Sequence, residues 1–354
     1  MRGLLLLLVG LVGCGQRGAD KVDAAPAAPP SAARVDAAVD DTAAVPQAAP
    51  PVKDLEGQLA AAEPCVVEGR PRQACLGFER LRSAVRSRKG DAAWRDGLLD
   101  LAKGQPDAPR TRLALTLLAD GSMNGPADIM VTALLPLTDS TDAFVRASAL
   151  RALATYDSPG VAEKALTVIE NDPDPGPREA AAYVLGKPQQ HRAGPAAVTA
   201  LLRALANDAD ASVKRAAIGS LGMLHPPEAL PALIALMDDP LLGPNALVQL
   251  GGFQQGAAYR SILSRISKVR DGMPLPPAAL ASLTRLRTHP DYDAAQVRQV
   301  LEAALPFVEK DGTPNGRIAH ELVKRQLAAL APPSAPPSAP PGGPATGPAM
   351  KPGK

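Results

Sequence analysis

Three cysteines and four histidines are the residues of this chain best suited to covalent or metal chemistry. Cys65 and Cys75 bound the segment CVVEGRPRQAC. Glu68-Gly69-Arg70-Pro71 between them reads as a turn, because Gly tolerates turn backbone and Pro presets φ. Cys65 then ends one helix and Cys75 lies one turn into the next, within bridging reach across an antiparallel pair. An oxidised bond closing so short a loop is worth on the order of 2–3 kcal/mol. The third thiol, Cys14, stands apart, directly after Leu11-Val12-Gly13. His191, His225, His289 and His320 are dispersed, and none has a metal-ligand spacing. No Gly-x-Ser-x-Gly elbow, phosphate loop or His-Glu-x-x-His motif occurs. The acid pair Asp238-Asp239 falls in a turn, where carboxylates cap helices. These observations predict a non-enzyme with no catalytic residue, no metal and no cofactor.

The elements that hold these residues repeat. DAFVRASALRALATYD begins at Asp142, DPGPREAAAYVLGK at Asp174 and DASVKRAAIGSLGML at Asp210. Each sets an Asp four residues before a basic residue and then an Ala/Leu-rich amphipathic stretch. The basic residues are Arg146, Arg178 and Lys214. Weaker copies place Arg72, Arg110, Asn245, Ala278 and Arg317 in the same register. Each stretch follows another helical pattern, such as MVTALLPL from Met130, AVTALLRAL from Ala197 and ALPALIALM from Ala229. Apolar residues recur there at i, i+3, i+4 and i+7. Prolines 71, 109, 177, 244 and 277 sit where a first helical turn needs no N–H. Asp142, Asp174 and Asp210 are expected N-caps, and Gly186, Gly222 and Gly251 are expected near helix ends. The pattern predicts roughly eight helical hairpins. Composition agrees: 46% of residues are hydrophobic but only 3% aromatic, which favours Ala/Leu/Val packing between helices over sheet.

Asp-x-x-Val-Arg-x-x-Ala followed by Ala-Leu-Gly resembles HEAT repeats of the short bacterial kind. The resemblance is good over about residues 105–252 and looser over 53–330. It implies an all-α, right-handed α-solenoid. It also implies an inter-repeat ladder, with Asp142 and Arg146, Asp174 and Arg178, and Asp210 and Lys214 bonding across neighbouring repeats to lock their register.

The flanks differ in kind. Residues 1–13, MRGLLLLLVGLVG, have one basic residue and a short apolar run, the pattern of a secretory signal. Leu11-Val12-Gly13-Cys14 resembles the lipobox of bacterial lipoproteins. That resemblance implies lipidation of Cys14 after cleavage before it, and Gly15 rather than Asp implies export to the outer membrane. Residues 14–52, Ala/Pro-rich and without period, read as a disordered linker, residues 53–330 as the solenoid, and residues 331–354 as a disordered Pro-rich tail. In an exported, oxidising compartment the Cys65–Cys75 disulfide is expected.

A formal net charge of +2 gives no electrostatic case for nucleic acid. The sequence therefore points to a membrane-anchored scaffold or adaptor for envelope proteins, facing the periplasm. An alternative is a structural envelope component that binds peptidoglycan or another glycan.

Overall fold

A computed structural model describes residues 55–67, 75–187 and 194–330. The chain divides into two units, residues 1–51 and 52–354, and everything described lies in the second. Among the described residues there are sixteen α-helices and no strand. They are α1 (Leu55–Val67), α2 (Leu76–Ser87), α3 (Ala92–Ala102), α4 (Pro109–Ala119), α5 (Ala127–Leu134), α6 (Ala143–Leu153), α7 (Pro159–Asn171) and α8 (Pro175–Leu185). The series continues with α9 (Gly194–Asn207), α10 (Ala211–Leu224), α11 (Leu230–Ala235), α12 (Gly243–Leu250), α13 (Gly256–Ser267), α14 (Pro277–Arg285), α15 (Ala294–Lys310) and α16 (Pro314–Ala329).

From α3 onward each odd helix packs on the even helix after it. Even helices α4 to α16 also pack successively on one another, giving one continuous row, and odd helices contact each other less. This is an α-solenoid of helical hairpins. The first hairpin departs from the expected register, because α1, not α2, packs against α4. Glu56 and Glu63 of α1 ion-pair with Arg110 of α4 across that contact.

Small side chains let the even helices approach closely. Ala180, Ala181 and Ala182 of α8 are fully buried, and so are Leu150, Ile218 and Leu247 in the rest of the row. Burying a side chain of Leu or Ile size contributes about 1.5–3 kcal/mol. Some contacts are closer still. A Cβ at Gly186 would lie 2.4 Å from Ser220 Cβ, and one at Gly251 would lie 2.9 Å from Ser282 Cα. The same serines tie the layers: Ser220 Oγ donates to the Ala182 carbonyl at 2.8 Å, and Ser282 Oγ to that of Leu247 at 2.5 Å.

Helix starts and ends follow local chemistry. Asp142 accepts from the Val145 N–H and Asp210 from that of Ser212, as N-caps do. Pro109, Pro175, Pro244 and Pro277 open helices where no N–H is needed. Gly186 and Gly251 are C-caps, whereas Gly222 lies inside α10, which ends at His225 in a left-handed conformation (φ 50°). Gly222 instead makes room for Gln249. MVTALLPL is not one α-helix: α5 tightens into a 3₁₀ turn over Leu135–Asp139, where Pro136 lacks the N–H to continue it.

Candidate functional site

The charged residues singled out by their repeat form a chain of ion pairs at the turns between layers. Arg146 Nε and Nη2 each donate to a carboxylate oxygen of Asp172 at 2.8 Å, and Nη2 also reaches Asp174 Oδ2 at 2.8 Å. Its Nη1 donates to the carbonyls of Ser140 (2.9 Å) and Thr141 (3.1 Å). One layer on, Arg178 repeats the geometry. Its Nε and Nη2 donate to Asp208 at 2.8 and 2.9 Å, and Nη1 to the carbonyls of Asp172 and Pro173 at 3.0 Å each. Each guanidinium thus closes its own turn and clamps the next one.

The acceptors differ from those expected. Asp172 and Asp208, not the N-cap aspartates alone, take the bidentate pairs. Each also accepts the backbone N–H of the cap residue, Asp174 at 3.0 Å and Asp210 at 2.8 Å. Burial pushes both carboxyls up. Hydrogen bonds from Arg146 and the Asp174 N–H outweigh this for Asp172, and those from Arg178 and the Asp210 N–H for Asp208, so both titrate below the ordinary carboxylate range. The signal was present as a repeated Asp-x-Asp, at 172–174 and 208–210.

The ladder also has two ends that the sequence placed wrongly. Upstream, Arg112, not Arg110, faces the next layer. Ser140 stands where Asp172 and Asp208 stand, so across the layer Arg112 reaches Asp142 at 3.5 Å; it also pairs with Asp107 of its own turn at 3.6 Å and stacks over Phe144 at 4.9 Å. Downstream, Lys214 has no carboxylate partner among the described residues. Its acidic candidates are taken: Asp238 pairs with Arg265 (2.5 Å) and Lys268 (2.7 Å). Asp239 caps a turn through the Leu241 and Leu242 N–H groups. The expected Asp210–Lys214 rung is therefore absent, with Asp210 acting as a cap only. At the other end of the chain Arg317 Nη1 bonds the Gly312 carbonyl at 2.6 Å, the local half of the same device with no described layer beyond it. Arg72 and Cys14 lie outside the described residues.

Cys65 and Cys75 are joined in a disulfide, with Cα atoms 5.8 Å apart. Cys75 is the residue preceding α2, so it sits at the helix start and not a turn inside it. The described histidines do not converge. His225 and His289 end helical segments, His320 lies in α16, and His191 is outside the described residues. His289 stacks on Tyr259, ring centroids 5.7 Å apart, and its Nδ1 accepts the Asp291 N–H at 2.9 Å. Trp94 is buried, with Arg88 4.8 Å above its ring. Among the described residues no group of three His, Cys, Asp or Glu is placed to hold a metal ion, and no helix is long and apolar enough to cross a membrane. Two grooves of about 570 Å³, one over α5 and one between α11 and α13, are open to solvent.

Stacked hairpins clamped by turn ion pairs define an α-solenoid. Residues 162–243 match the HEAT repeats family, a stretch running from α7 to the start of α12. HEAT repeats are in general a non-catalytic scaffold for protein interaction. A search of curated proteins returns no match.

Proposed function

We propose that this protein is a lipid-anchored, non-catalytic scaffold of a bacterial cell envelope, whose helix rows bind protein partners. One observation carries the scaffold part: the even helices stack without interruption from α4 to α16 around HEAT-matched layers. Such an array offers an extended surface, which suits a protein better than a small substrate. Arg146 and Arg178 are consumed by their own turns and neighbours, so the ladder is structural and leaves no free basic stripe there. The anchor part rests on Leu11-Val12-Gly13-Cys14, with a tether from Cys14 to the solenoid. The Cys65–Cys75 disulfide fits an oxidising compartment. An outer-membrane anchor follows from Gly15 in the lipobox resemblance, and the solenoid is taken to face the periplasm.

Chemical cross-linking in intact cells tests this, using the C-terminally tagged protein beside its Cys14→Ser form. The expected result is capture of one or a few envelope proteins by the anchored form alone. Equal capture by both forms would remove the anchor from the account. Capture of nothing by either would remove the scaffold.

A further inference from the structure

Nine large hydrophobic residues are exposed among the described residues, and three of them, Tyr183, Met223 and Val248, lie on the consecutive even helices α8, α10 and α12. Contacts between these helices set them in line. Ser220 Oγ meets the Ala182 carbonyl, which puts Gly219 abreast of Tyr183. Gln249 packs where a Cβ on Gly222 would sit, which brings Val248 alongside α10. Arg285 Nη1 of α14 donates to the Val248 carbonyl at 3.0 Å. Tyr183, Gly219, Val248 and Arg285 thus cross four helices, with Met223 one turn beyond Gly219 on the same side of α10.

Gly219 is the unusual member. Inside a helix, glycine is a weaker former than alanine. Gly186, Gly222 and Gly251 are explained by atoms that a Cβ would strike. A Cβ at Gly219 meets nothing within 4 Å, and its backbone is ordinary helix. Packing among the described residues does not require it. Its effect is a notch in the line, bounded by Tyr183, Met223 and Val248.

The charge around the notch has one sign. Helices α6, α8, α10, α12 and α14 contain a single acidic residue, Glu179, and it pairs with Arg151 at 3.1 Å. Lys187 lies over the Tyr183 ring at 4.1 Å. None of Lys187, Arg215 and Arg285 has a carboxylate partner among the described residues.

We infer that this face of α8–α14 seats an acidic segment of a protein partner, with a bulky apolar side chain over Gly219 and carboxylates against Lys187, Arg215 and Arg285. The inference rests on the scaffold reading and adds the surface and the partner's chemistry. Charge complementarity selects an acidic occupant. Three exposed apolar side chains around a notch select a polypeptide over a nucleic acid, whose outer surface is phosphate.

The test titrates the full chain into a labelled synthetic peptide of glutamates around two leucines, read by fluorescence anisotropy. Its controls are the same peptide with Leu→Ser and with Glu→Lys, and a single-stranded oligonucleotide. The glutamate–leucine peptide is expected to bind, each control peptide about tenfold or more weaker. Gly219→Leu sets its Cβ in open space and its side chain over the notch, so it should melt no lower than the parent yet lose about tenfold in affinity, and so should Arg215→Glu. No binding of the glutamate–leucine peptide, equal binding of all three peptides, or unchanged binding by Gly219→Leu overturns the assignment. So does an oligonucleotide bound as tightly and lost on the same substitutions. In cells, if Gly219→Leu captures the same partners as the parent, this face is wrong and the scaffold reading survives. If neither captures anything, the scaffold reading itself falls.

Discussion

Asp172 is where two layers meet, and its surroundings set how much it matters. Its side chain is only 6% exposed and the Arg146 side chain 10%. Removing one member of such a pair leaves a buried charge short of a partner. Asp172→Asn is expected to cost about 2–4 kcal/mol, measured by urea denaturation followed by helical circular dichroism. Asp174, with its side chain 49% exposed, shares the same guanidinium, and Asp174→Asn should cost less than about 1 kcal/mol. The pH dependence has a defined sign. The folded-state pKa values of Asp172 and Asp208 are depressed, so their contribution is complete above the ordinary carboxylate pKa of about 3.9. It is lost as pH falls through the folded values. Stability from these groups should therefore hold from neutral pH to about pH 5 and drop below about pH 4, and Asp172→Asn should flatten that drop. Arg146 and Arg178 were legible from the spacing Asp, two residues, Val or Pro, then Arg, because a helix fixes that spacing locally. Their acceptors were not, because they belong to the next repeat, and which of two aspartates faces back depends on the path of the turn.

At the scale of helices, glycines separate packing from function. A Cβ at Gly186 or Gly251 collides with the neighbouring helix, so Gly186→Ala and Gly251→Ala should each destabilise by about 1–3 kcal/mol. Gly219→Ala, into open space, should instead stabilise by up to about 1 kcal/mol. Thermal melts of the three variants decide between these signs. The first hairpin depends on a different device. Replacing both Cys65 and Cys75 by Ser should cost about 2–3 kcal/mol, with hydrogen exchange rising first in α1 and α2. Helix existence was legible along most of the chain, since apolar periodicity, Pro at helix starts and the Asp142 and Asp210 caps agreed; Asp174, the third expected cap, makes no side-chain cap bond because Arg146 takes its carboxylate. The breaks were less so. Pro136 splits one apparent helix into an α and a 3₁₀ part, and α1 replaces α2 beside α4 through the Arg110 pairs with Glu56 and Glu63. Contacts between elements decide such matters, and a one-dimensional pattern carries them poorly.

Across the solenoid, stability is a sum of layers and their interfaces. The clamped layers run from α6 to α10, and the ladder stops at Lys214 for want of a free acid. Beyond it, α11 is short and Asp238 is held by Arg265 and Lys268 of the odd row. Amide exchange should accordingly be slowest in α6, α8 and α10 and faster around α11, a gradient that native-state hydrogen exchange measures directly. The solenoid class was legible because repetition itself is the signal. The face that α8–α14 leave uncovered was not, because exposure of Tyr183 or Val248 appears only when neighbouring layers are in place.

On the proposed reading, this surface holds a protein partner at a membrane. The direct measurement is photo-cross-linking in intact cells from a photoactivatable residue at Val248, in the parent chain and in Cys14→Ser. One or a few envelope proteins should be trapped from the parent chain and lost with Cys14→Ser. A parent chain that stays with the membrane yet traps no protein from Val248, or traps the same proteins without its anchor cysteine, would contradict that reading.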